Sequence, residues 1–181
     1  IDTLKGKGPE DITELAEKLS GIMVYLGGRA SSPEEGYAMT KRALEDGSGL
    51  KQLGRFIEAQ GGNHDVIEDY SLFPQASVKD ELKAEKDGFV AEIAARTIGL
   101  ASQHTGAGRA TKESEIDLAA GVYLHKKVGD KVSAGETLAV FYGNDRAKVD
   151  AAMAEAKKAF IITDEPCQRP VLIKEIIGLE E

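Results

Sequence analysis

The chain has 181 residues, 41% of them hydrophobic and 30% charged, a length that can bury a core without staples and a composition that excludes a disordered chain. Lys and Arg total 23 against 31 Asp and Glu, for a formal net charge of −8. That balance speaks against nonspecific nucleic-acid binding, which needs a basic surface, and against docking on anionic lipid.

The first third is predicted to be helical. Gly8-Pro9-Glu10-Asp11 opens a helix, with proline in the first turn and acids at the positive end of the dipole. Ile12, Leu15, Ala16, Leu19, Ile22, Met23 and Leu26 then form one continuous stripe, stopped by Gly27-Gly28. Ser32-Pro33-Glu34-Glu35 opens a second helix that runs to Asp46 and ends at Gly47. A third carries Leu50, Leu53, Phe56 and Ile57 on one face and ends at Gly61-Gly62. Each helix has a single apolar face, so the three must pack on each other or on structure outside this chain.

Tyr70–Gln75 reads as a linker punctuated by Pro74. Beyond it, Val78–Ala84 and Gly88–Ile93 read as strands joined by the turn Lys86-Asp87-Gly88. A short helix is expected over Ala95–His104, followed by the glycine-rich loop Thr105-Gly106-Ala107-Gly108-Arg109. Ile116–Leu124 reads as a strand pair or a bent strand. Val128-Gly129-Asp130-Lys131-Val132 is a tight turn and Thr137–Tyr142 a strand. Asn144-Asp145 caps a helix from Arg146 to Phe160, with Val149, Ala152, Met153, Ala156 and Phe160 inward. Ile161–Thr163 and Val171–Ile176 are expected to be closing strands. The fold class is α+β, a helical piece over residues 1–74 and an α+β domain over residues 75–181.

No complete active site is visible. The glycine-rich loop could cradle a phosphate with Arg109 paired to it. Yet it follows a helix rather than a strand, and it matches neither the P-loop nor the dinucleotide fingerprint. A helix end with glycines at positive φ is the plainer reading. His64, His104 and His125 lie far apart without metal-ligand spacing, and the single cysteine, Cys167, can form neither an intrachain disulfide nor a cysteine zinc site. His104 reads as a helix-end histidine, His64 as part of a cap or turn, and His125 as a residue on a half-wet strand. Cys167 has no activating base in view. Asp117, set in an apolar stretch, is the acid expected to have a structural partner, with Arg109 and Arg96 as candidates. No run suits a transmembrane helix and no signal peptide is evident, so the cytoplasm is the expected compartment. The opening Ile1-Asp2-Thr3, without methionine, reads as part of a longer polypeptide.

Two stretches resemble a known family. One is Ile98-Gly99-Leu100-Ala101 with Thr105-Gly106-Ala107-Gly108-Arg109-Ala110-Thr111-Lys112. The other is Ile116-Asp117-Leu118-Ala119-Ala120-Gly121-Val122, followed by Lys127-Val128-Gly129-Asp130-Lys131-Val132 and Gly135-Glu136. Together they are similar to the C-terminal part of the pyrimidine-nucleoside phosphorylases, the thymidine phosphorylase family. Ile1 to Asp11 and Gln60-Gly61-Gly62 also fit. The likeness runs the whole length and is strongest from Asp87 onward, with a departure at His104-Thr105, where a leucine is expected.

The resemblance implies a transferase, a glycosyltransferase of nucleoside metabolism and nucleotide salvage. In such an enzyme, pyrimidine nucleoside and phosphate bind between a small helical domain and a large α/β domain, in a cytoplasmic homodimer. It implies that residues 1–74 are the last helices of the α/β catalytic domain. Residues 75–181 would be the C-terminal domain, of hammerhead-like barrel-sandwich type. The catalytic and substrate-binding residues lie outside this chain, so none is assigned here, and the fragment alone is expected to be inactive. No metal ligand or cofactor is assigned to this chain, and potassium is possible in the intact enzyme. Gly106, Gly108, Arg109 and Lys112 are expected to form a loop that helps close the cleft. No nucleic-acid or membrane partner is expected. The alternative is a free-standing, non-catalytic binding module like the biotinyl and lipoyl carriers, which the Gly129-Asp130 turn also resembles. Against it, Thr137–Tyr142 is followed by Gly143-Asn144-Asp145 and not by a carrier lysine.

Overall fold

The structure, a computed structural model, describes residues 1–109 and 111–178. The chain divides into two compact units: Ile1–Leu72 with the C-terminal segment from Val171, and Phe73–Pro170.

The first unit holds α1 (Glu10–Leu26), α2 (Pro33–Glu45) and α3 (Ser48–Ala59), then short 3-10 turns over His64–Ile67 and Tyr70–Leu72. Their limits follow local signals. The Ser32 hydroxyl accepts from the Glu35 amide at 3.2 Å, and the Glu35 carboxylate reaches back to the Ser31 amide at 2.6 Å, a reciprocal cap shifted by one residue. The Ser31 hydroxyl, which also donates to that carboxylate at 2.6 Å, and the Ser31 amide hold the Glu35 carboxyl below the usual glutamate value. At the far end of α1, Gly28 adopts φ +68° and its amide bonds to the Tyr25 carbonyl at 2.9 Å.

α1 and α2 meet backbone to backbone. Gly21 and Gly36 are the buried residues of these helices. A Cβ on Gly36 would stand 2.2 Å from the Gly21 carbonyl oxygen, so neither helix can carry a side chain at the crossing. The predicted stripe of α1 is covered only in part: Leu15, Ala16 and Ile22 are half-buried, but Leu19 is 54% exposed, and Met23 and Leu26 are each 71% exposed. The N-terminal segment is tied down by polar contacts. Lys5 donates to the Ile67 carbonyl. The Tyr70 hydroxyl donates to Asp2 at 2.5 Å, which pushes the phenol up to about 12.

The second unit is built on two three-stranded antiparallel sheets. Its strands are β1 (Val78–Lys83), β2 (Gly88–Ile93), β3 (Gly121–Leu124), β4 (Lys131–Val132), β5 (Thr137–Gly143) and β6 (Phe160–Thr163). One sheet has the order β1-β5-β3 and the other β4-β2-β6. α4 (Ala95–Ser102) and α5 (Arg146–Ala156) complete the unit. Phe141 and Ala139 of β5 pack with Leu82 against Ile98, Ala101, Val149, Ala152 and Ala156 of the two helices. Leu138 turns the other way, into a second core with Ala84, Val90 and Val132. β5 is thus buried on both faces, which is why it reads as an unbroken apolar run rather than an alternation.

Several expectations are corrected here. β1 and β2 are both strands but form no hairpin. A register shift falls at Leu82/Lys83, and Ala84 then gives its amide to Glu136 and its carbonyl to Gly135, both at 2.8 Å, which carries the chain to the other sheet. Of Ile116–Leu124 only Gly121–Leu124 is strand. α5 stops at Ala156, and after a 3-10 turn Phe160 opens β6 instead of closing the helix. Val171–Ile176 is not a strand. Among the described residues no helix is long and apolar enough to cross a membrane.

Candidate functional site

The glycine-rich segment leaves α4 through a π-helical turn over Gln103–Ala107. Thr105 is buried, with its hydroxyl donating to the Ser102 carbonyl at 2.7 Å. Gly106 has φ +114°, a conformation that disfavours a side chain, and a Cβ there would sit 3.3 Å from the Cβ of Asp117. Gly108 is extended and not left-handed, and its reason is space: a Cβ would lie 2.8 Å from Cγ of Gln103. Gln103 then donates from Nε2 to the Arg109 carbonyl at 2.5 Å. Ala110 lies outside the described residues. Beyond it, Thr111 and Ser114 close a small turn, the Thr111 amide donating to Ser114 Oγ at 3.0 Å. Arg109 and Lys112 are exposed.

Asp117 closes the segment. Its amide donates to the Gly106 carbonyl at 2.9 Å. Its carboxylate accepts from the Ala119 amide at 3.0 Å and from Asn144 Nδ2 at 2.9 Å. The expected arginine partner is therefore corrected. Asp117 is held by a neutral amide and a backbone N–H, and Arg96 is exposed on α4. Asn144 is also not the helix cap. Asp145 alone caps α5, accepting from Ala147 and Lys148 at 2.9 and 3.2 Å.

The other candidates lie in separate places. His104 Nδ1 stands 2.8 Å from Glu155 on α5. That contact depends on helix packing, and no sequence spacing announces it. His64 opens a 3-10 turn behind the Asn63 cap, as expected, and it also pairs with Glu58 at 2.7 Å, a contact not read from the sequence. His125 packs edge-on to Tyr123, ring centroids 4.9 Å apart. Cys167 donates from Sγ to the Val90 carbonyl at 3.0 Å. Among the described residues no group of three or more His, Cys, Asp or Glu could hold a metal ion.

The Gly129-Asp130 turn is locked. Burial pushes the Asp130 carboxyl up, but the Lys127 amide at 2.8 Å and Arg169 at 2.6 Å outweigh it and hold the group below the usual aspartate value. A separate cleft of about 230 Å³ is lined by Leu82, Leu138, Phe160 and Ile162 together with Lys83, Lys86 and the Lys157–Glu85 ion pair. It contains none of the candidate site residues Gly106, Gly108, Arg109 and Lys112.

Gly106, Gly108, Arg109, Lys112, Asp117 and Asn144 lie within a stretch that matches a known domain. Residues 89–163 match the family model described as the pyrimidine nucleoside phosphorylase C-terminal domain. Over 178 residues, 98% of this chain, the sequence is 49% identical to the pyrimidine-nucleoside phosphorylase of Geobacillus stearothermophilus, of which it covers 41%. It is 44% identical over 177 residues to the enzymes of the same name from Staphylococcus aureus strains bovine RF122 / ET3-1 and USA300, covering 40% of each. The chain is similar to the C-terminal portion of pyrimidine-nucleoside phosphorylases and spans about two fifths of the length of these relatives. The family resemblance of its motifs is thereby borne out, and the free-standing carrier-like module is not favoured.

Proposed function

We propose that this chain is the C-terminal portion of an enzyme that reversibly cleaves pyrimidine nucleosides, uridine and thymidine, with phosphate to the free base and pentose 1-phosphate. The observation that carries this reading is the 49% identity over 98% of the chain to a pyrimidine-nucleoside phosphorylase. Residues 1–74 are then the last helices of an α/β catalytic domain. The exposed stripe of Leu19, Met23 and Leu26 supports that assignment, because apolar surface of this kind needs cover. Residues 75–181 are the C-terminal domain, and the two small antiparallel sheets support a hammerhead-like barrel-sandwich. The enzyme is taken to be a cytoplasmic homodimer acting in nucleoside salvage.

Catalysis and substrate binding are assigned to no residue of this chain. Nor is potassium, which the resemblance allows in the intact enzyme. The contribution proposed for this chain is closure. Phosphorolysis develops a sugar cation that water would capture, so the cleft must shut before the base leaves. Gly106 and Gly108 shape the segment, Lys112 adds charge, and Arg109 makes the polar contact of the closed state.

The test compares this chain with the phosphorylase-length protein, using uridine, thymidine and phosphate. The chain alone is expected to be inert and the longer protein active. In the longer protein Arg109→Ala should lower kcat/KM by about 10-fold, the worth of one charged hydrogen bond. A longer protein without phosphorolysis ends the functional reading. An unchanged kcat/KM and closed population in the variant ends the role of the loop.

A further inference from the structure

Asn144 lies between β5 and α5, beside the residue that caps α5, and the cap does not need it. Its amide makes two bonds of opposite sense. Nδ2 donates to Asp117 Oδ2 at 2.9 Å, and Oδ1 accepts from the Ser77 amide at 2.9 Å. Chemistry fixes this orientation, since a carboxylate can only accept and a backbone N–H can only donate. Asp117 spends its other oxygen on the Ala119 amide at 3.0 Å and its own amide on the Gly106 carbonyl at 2.9 Å. Gly106 and Asp117 therefore form the neck of the segment that carries Arg109 and Lys112. Ser77 is backbone just after the chain passes from the first unit to the second. One amide side chain thus touches the neck on one side and Ser77, near the start of the second unit, on the other.

We propose that Asn144 is a positioning residue: by holding Asp117 it fixes the neck of the Arg109–Lys112 segment, and by holding Ser77 it ties that neck to the start of the second unit. Its effect on the segment stands on the geometry alone. Its effect on turnover rests on the phosphorolysis reading.

The experiment is limited proteolysis of the full chain with trypsin, which cuts after Arg109 and Lys112, alongside amide exchange at Ser77. Asn144→Asp keeps the acceptor for Ser77 but sets two carboxylates against each other. Cleavage after Arg109 and Lys112 is expected to speed up about 5- to 10-fold, with Ser77 exchange unchanged. Asn144→Ala should speed both cleavage and Ser77 exchange. The exchange N144D/D117N restores complementarity with the roles reversed, and cleavage should return to within about 2-fold of wild type. Folding is not the weak point, because an added carboxylate beside the start of α5 favours that helix.

Wild-type cleavage in N144D, or a double variant as fast as the single, overturns the proposal. So does equal acceleration after Arg96 on α4, which would mean general loosening. In the phosphorylase-length protein N144D should lower kcat with little change in KM, and the double variant should recover it. A proteolysis pattern as expected with unmoved kinetics leaves the positioning in place and ends the catalytic reading of the loop.

Discussion

The two units solve the burial problem in opposite ways. In Phe73–Pro170, β5 is buried on both faces and small residues on α5 (Ala152 and Ala156, both fully buried) let helix and sheet close tightly. In the helical unit the close approach is made of glycine against glycine, and Ile12, Leu19, Met23 and Leu26 of α1 stay exposed. An amphipathic pattern therefore guarantees a helix but not its partner. The second unit has its own core, whereas the first has well-formed helices with an apolar face still to cover.

The comparison is broken most sharply at Phe141, which is fully buried. Phe141→Ala should cost about 3–5 kcal/mol in denaturant unfolding, while Met23→Ala, at a position 71% exposed, should stay within about 0.5 kcal/mol in this chain. In the phosphorylase-length protein the Met23 substitution should become costly, by about 2 kcal/mol or more, where the catalytic domain covers the stripe. A Met23 variant equally silent there counts against the assignment of residues 1–74.

The glycine crossing is the next largest effect. Gly36→Ala places a methyl 2.2 Å from a backbone carbonyl, which the flexible end of no side chain can relieve. A loss of about 1–3 kcal/mol is expected, read as earlier melting of the helical signal. Smaller, and dependent on pH, is the lock of the second unit. Asp130→Asn should cost about 1.5 kcal/mol at neutral pH. The folded carboxyl is held below its unfolded value. Its contribution is therefore present above the unfolded pKa, near 4, and is lost as the pH falls through the lower folded value. Wild type and variant should converge in acid, and a constant difference across that range would remove Asp130 from the account. The smallest effect is Ser32→Ala, about 1 kcal/mol for a lost cap, seen in the thermal midpoint.

Much of this fold was legible in the sequence, and the readable parts share a cause. The starts of α1 and α2 came from Pro9 and Ser32-Pro33, and their ends from glycines and Asp46. β2 and the start of β5 were read where they stand, because alternation and turn residues act within a few positions. The likeness to the phosphorylases was legible for a related reason: it lies in contiguous stretches, and the matched domain covers residues 89–163. What failed was pairing. Lys86-Asp87-Gly88 looks like a hairpin turn, yet Ala84 is claimed by Gly135 and Glu136 and the chain changes sheet. Val171–Ile176 has the composition of a strand but pairs with none in the described residues, and composition names no partner.

The site divides along the same line. The sequence by itself determined that Gly106, Gly108, Arg109 and Lys112 share one segment, and that Asp117 should have a partner. Only the tertiary structure decided that the partner is Asn144, 27 residues away, and that His104 meets Glu155 across 51 residues. Local conformation is set by sterics and hydrogen bonds within a turn or two of the chain. Which distant donor reaches a given acceptor is set only when the sheets and helices have packed, because that packing alone fixes the distance between them.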